Sequence, residues 1–189
     1  MARYETVRNP EGVAVNIWRD PAPGPHLLRE IAEGIEQVGE IRRILNRYSL
    51  DLDFIRRITV MIDDEKDFYM YVNDKSGQVI VCRDHLLNSD LKTVFLDIIH
   101  ETVHIFQLSL GMDLFDKKYR YIDRPTELEA YEAAVAEGKK LGMADSELFD
   151  YLAVDWVNDS DHLKLAEKLG VARKGRHLRT DPFLQVRPL

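Results

Sequence analysis

A chain of 189 residues with 45% hydrophobic content is long enough to bury a substantial core as one domain, and its single cysteine, Cys82, argues against a disulfide-stabilised secreted fold. The formal charge of −7 disfavours a general nucleic-acid binder, although residues 173–179 form a local basic patch. No apolar run is long enough to span a bilayer, and the charged, proline-containing start does not read as a signal peptide, so the expected setting is cytoplasmic, with no nucleic-acid or membrane partner.

Along the chain, residues 1–25 read as an N-terminal extension, a loop or short hairpin closed by the stiff connector Pro21-Ala22-Pro23-Gly24-Pro25. Residues 26–48 carry Leu27, Leu28, Ile31, Ile35, Val38, Ile41, Ile44 and Leu45 at a helical period, which predicts one backing helix. Three short strands are predicted at 57–61, 68–72 and 78–81 from their β-branched and aromatic content. Asp63-Asp64-Glu65 and Asn73-Asp74-Lys75-Ser76-Gly77 separate them as tight turns, which implies a meander. Residues 90–110 form the next helix: Leu96, Ile99, Val103, Phe106 and Leu110 make its apolar stripe, Asn88, Ser89 and Asp90 offer caps, and Gly111 ends it. A further helix begins at Pro125, another follows Asp145 or Ser146, and one more covers 162–169, giving an α+β class with a core of 26–172 and a tail of 173–189.

His100-Glu101-Thr102-Val103-His104 lies within the 90–110 helix. At about 3.6 residues per turn, the two imidazoles stand one above the other, within reach of a single ion, while Glu101 is displaced by roughly 100° and is free to act on a water. The bland alternative is a buried helix whose histidines only satisfy hydrogen bonds. Catalytic zinc normally takes three protein ligands, so a third is needed. A downstream histidine in the extended motif is excluded, because the glycine and histidine positions are held by Gln107 and Leu110. Cys82, in the manner of peptide deformylases, is weak, since Val81 and Val103 stand where those enzymes have glycine and an acid, and a small buried thiol ending a strand is ordinary. Glu127, 23 residues after His104, shares a helical face with Ala130, Tyr131 and Ala134. Glu129 points roughly 200° away from it, so only one of the two can face a metal, and Glu127 is the choice.

With these residues, the chain resembles the gluzincin metallopeptidases, the thermolysin-like group whose zinc is held by two histidines of one helix and a glutamate of another, and most of all the small single-domain minigluzincins. It departs from many of them at Tyr131, where an aspartate or asparagine would orient a histidine. The resemblance implies a zincin-like fold and one Zn2+ on His100, His104 and Glu127, with hydrolysis of a peptide or isopeptide bond in a peptide or protein substrate. Glu101 is the expected general base. Tyr119, Tyr121, Tyr131, Arg124 and His162 are candidate oxyanion donors, with Tyr131 expected nearest the metal, and Asp97 is a candidate support for His100. The strand at the sheet edge would hold an extended substrate. A non-catalytic zinc-stabilised binding module uses the same ligands and is the competing expectation. The tail, with His177, Asp181, Phe183 and Leu184, is expected either to dock in the active site and inhibit it or to lie apart from it.

Overall fold

A computed structural model describes residues 2–65 and 68–171. The expected docking of the tail and the whole basic patch of 173–179 therefore lie outside the described residues.

The first sheet is built almost entirely from the N-terminal extension. Strands β1 (Tyr4–Arg8) and β2 (Ala14–Trp18) form an antiparallel hairpin in the register Tyr4↔Trp18 to Arg8↔Ala14, and the short β4 (Ala32–Glu33) pairs with the other edge of β2. Val7, Val15 and Ile17 enter the same buried cluster as the later helices, so this hairpin is part of the core's cover. Buried Arg19, just after β2, donates from Nη2 to the carbonyls of Ser89 and Leu87, tying the hairpin to the segment before the longest helix.

The single helix expected over 26–48 does not form. In its place stand the end of β3 (Gly24–Leu27), a one-turn α1 (Leu28–Ile31), β4, a 3-10 turn over Ile35–Gln37, and α2 (Gly39–Arg47). The cause is Gly34, which adopts φ 93° beside β2; a Cβ there would lie 2.5 Å from the carbonyl oxygen of Ala14. The apolar residues that suggested the helix, from Leu28 to Leu45, are nonetheless buried.

The second sheet has the order β3-β5-β7-β6, with β5 (Thr59–Asp63), β6 (Met70–Asn73) and β7 (Gln78–Cys82). The expected meander is therefore wrong. β3, inside the supposed connector, takes one edge of β5; β7 pairs with β5 in parallel on the other side, and β6 is displaced to the outside, antiparallel to β7. Burial explains the order: β7 is buried at Val79, Ile80, Val81 and Cys82, as a strand covered on both faces must be, whereas Tyr71 of β6 is exposed. Both expected turn segments carry side-chain-to-backbone hydrogen bonds, Asp63 Oδ1 accepting from the N–H of Glu65 and Asn73 Oδ1 from those of Lys75 and Ser76, but only the second joins two paired strands.

Helix α3 (Leu52–Arg57) lies between β3 and β5 in the chain, and α4 (Arg83–Asn88) follows β7. Then comes α5 (Leu91–Ser109), capped by Asp90, whose carboxylate accepts from the N–H groups of Lys92 and Thr93. It is buried over most of its length, His100, His104 and Gln107 included, and Leu110, expected in its apolar stripe, is exposed. Helix α6 (Pro125–Lys140) lies along α5 through fully buried Ala130, Ala133 and Ala134, small enough to bring the two backbones together. Helices α7 (Asp145–Tyr151) and α8 (Asp159–Lys168) complete the α+β fold. Among the described residues, no helix is long and apolar enough to cross a membrane.

Candidate metal centre

The close packing of α5 and α6 brings two imidazoles and a carboxylate to one point. His100 Nε2 and His104 Nε2 are 2.9 Å apart, and Glu127 Oε2, from the first turn of α6, lies 3.4 Å from the former and 3.5 Å from the latter. For zinc with bonds of about 2.0–2.2 Å, tetrahedral ligands stand roughly 3.3–3.5 Å apart, so the triangle fits such an ion after a slight opening of the histidine pair. The donor set also calls for a cation: Glu127 Oε2 is buried without a hydrogen-bond donor among the described residues. This is the one group of three or more histidine, cysteine or acidic side chains, among the described residues, with the spacing of a metal site.

Gln107 fixes the chemical form of His104. Its Oε1 is 2.8 Å from His104 Nδ1, while its Nε2 donates to the carbonyl of Thr126 at 3.0 Å and to Glu129 Oε2 at 2.9 Å. Both latter partners are acceptors, so the amide cannot be reversed, and Nδ1 of His104 must donate. A neutral ring then presents its lone pair at Nε2, toward Glu127 and His100. Glu129, the competing ligand, is turned toward α2, accepting from Arg47 Nη1 at 2.8 Å and from the Tyr48 hydroxyl as well as from Gln107.

Charge is strongly coupled here. Burial opposes ionisation of Glu127, but the two imidazoles beside it outweigh that and hold its carboxyl well below the usual range. Burial likewise opposes a charge on His104, yet Glu127 wins and pushes the ring up to about 9. A divalent cation bound here would compete with protons for the same three side chains. Burial pushes the Glu101 carboxyl up, against the pull of His100 and His104.

Glu101 is buried, borders the same cleft as the triad, and stands outside the group of ligand atoms. Tyr131 packs its ring edge on His100 at 4.3 Å between centroids, and its hydroxyl is 2.7 Å from that of Tyr121. Burial pushes both phenols well above their ordinary range. Arg124 also borders the cleft, but Tyr119 does not, and His162 is spent on the carbonyl of Phe149 at 2.8 Å. Asp97 reaches the cleft without supporting His100: its carboxylate accepts from His85 Nε2 at 2.8 Å, and His100 Nδ1 has no partner among the described residues. His85 Nδ1 in turn accepts from the Ser89 hydroxyl at 2.7 Å. No pattern in the sequence marks His85, which enters the site only because α4 folds back on α5. Cys82, buried at the end of β7, is not in the ligand group.

The triad opens into a cleft of about 1070 Å³. Met70, Tyr71 and Val72 of edge strand β6 form part of its lining, and Tyr121, Tyr151 and Trp156 another. Comparison with protein-family models, curated proteins and solved structures gives no match. Fold and site together define an α+β protein with a buried His-His-Glu group able to hold a metal ion.

Proposed function

We propose that the chain is a zinc-dependent metallopeptidase of the gluzincin type, with a zincin-like fold, that hydrolyses peptide or isopeptide bonds. The observation that carries this reading is the triangle of His100, His104 and Glu127, with Glu101 beside it but outside the ligand group, in a cleft that edge strand β6 helps to line. A zinc ion on these ligands would polarise the scissile carbonyl and acidify the attacking water. Glu101 takes the water's proton and delivers it to the leaving amine; its buried position keeps its affinity for a proton high enough to accept one. Tyr131 keeps its hydroxyl proton and donates a hydrogen bond to the carbonyl oxygen as negative charge builds there. Met70 to Asn73 of β6 offer main-chain groups to an extended substrate.

The test is to measure zinc content after stringent purification and then turnover of a mixed peptide library. Glu101→Gln should keep the zinc while hydrolysis falls by at least about a hundredfold. Turnover unchanged in Glu101→Gln removes Glu101 from the mechanism. Zinc without turnover by the parent protein supports a zinc-stabilised binding module instead.

A further inference from the structure

Arg124 is the one lysine or arginine among the described residues that line the cleft. It is also uncommitted. Its Nε is buried with no acceptor and its guanidinium forms no ion pair among the described residues; it lies over the face of Tyr121, 5.8 Å from the ring centre. Several acidic groups of the lining are already engaged by donors of their own: Asp90 by the N–H groups of Lys92 and Thr93, Asp97 by His85, and Glu147 by the backbone N–H of Ala144.

Its position ties it to the metal centre. Arg124 is the N-cap of α6, and Glu127 is one turn further on. The Tyr121 ring it covers is hydrogen-bonded through its hydroxyl to Tyr131, whose ring packs on His100. A buried guanidinium N–H without an acceptor is costly, and a planar fork of donors is the group best matched to a carboxylate.

We propose that Arg124 is a specificity-determining residue that receives a carboxylate of the substrate, within a few residues of the scissile bond. This inference rests on the peptidase reading. The chemistry has two sources, the α-carboxylate of a peptide C-terminus or the side chain of aspartate or glutamate, and matched peptides separate them.

Two measurements on the full-length zinc-loaded protein test it. In the first, initial rates are compared for one peptide as free acid and as C-terminal amide, and for a second pair differing by glutamate against glutamine. One acid should be preferred by tenfold or more in kcat/KM, mainly through KM. Arg124→Gln should erase that preference while zinc content stays unchanged, and Arg124→Lys should retain part of it. In the second, binding of the same N-acetylated peptides to the Glu101→Gln protein is followed by calorimetry, where the preferred acid should again bind at least tenfold more tightly than its neutral partner. Cleavage of all four peptides at equal rates, with equal binding, overturns the Arg124 assignment and leaves the peptidase intact. Absent cleavage defeats the peptidase reading, and the calorimetric comparison then decides the carboxylate site alone: equal affinities, or a preference that survives Arg124→Gln, end it. Thermal unfolding of each variant identifies any loss that is merely misfolding.

Discussion

Gln107 Oε1 lies 2.8 Å from His104 Nδ1, and that single contact decides which nitrogen of the imidazole is left to bind a metal. Removing it should weaken the site without touching a ligand. Gln107→Leu is expected to lower zinc affinity by about 10- to 100-fold, the usual cost of losing the partner that orients a histidine ligand. Competition with a chelator of known strength measures it; an unchanged affinity shows that packing alone holds the ring.

The two glutamates of α6 should separate cleanly. Glu127→Ala is expected to lose the metal, as are His100→Ala and His104→Ala. Glu129→Ala should keep it but lose about 1–3 kcal/mol of stability, because Tyr48 and Gln107 are left without their acceptor. The Arg47 end of that cluster is exposed and adds little. Elemental analysis and denaturant unfolding of both variants read the two effects, and retention of metal by Glu127→Ala would remove it from the ligand set.

Alkaline pH should expose the Tyr48–Glu129 contact. Burial, with the Glu129 carboxylate beside it, pushes the Tyr48 phenol from 10.0 up to about 12. A raised folded value means that the contact stabilises fully below pH 10.0, that the unfolded chain ionises first above it, and that the contribution is gone past about 12. The stability difference between the natural chain and Tyr48→Phe should therefore shrink across that interval. A difference constant with pH contradicts the assignment.

Gly34→Ala should destabilise by about 1–3 kcal/mol or more, since it combines a left-handed backbone with a close approach to a neighbouring strand. Urea unfolding should show a lower midpoint with an unchanged slope. Stability within experimental error of the natural chain would mean that β2 and β4 can separate freely.

The sequence was most readable where structure is local. A period of three and four residues and an aspartate cap define α5, and the spacing of His100 and His104 follows from it; Pro125 begins α6, and the angular offset between Glu127 and Glu129 separates the glutamate that lies beside the histidines from the one that faces α2. It misled where long-range pairing overrides local pattern. The apolar period of 26–48 is real, but Gly34 and the demand of β2 for a partner break the backbone beneath it. Strand order could not be inferred from turn residues, because a connection between β5 and β6 says nothing of β7 inserting itself between them. The pairing of Asp97 with His85, rather than His100, depends on the placement of α4, for which helical spacing on α5 has no information.

The contact of Arg19 with Ser89 spans 70 residues and bears on the cleft. Arg19, just after the hairpin, precedes by 70 residues the turn whose carbonyls it seals, and closing so long a separation costs more chain entropy than the local winding of α5. Since Ser89 also holds His85, and His85 holds Asp97, one wall of the cleft is joined through these contacts to the end of the first hairpin. The shape of the cleft thus depends in part on residues that take no part in its chemistry.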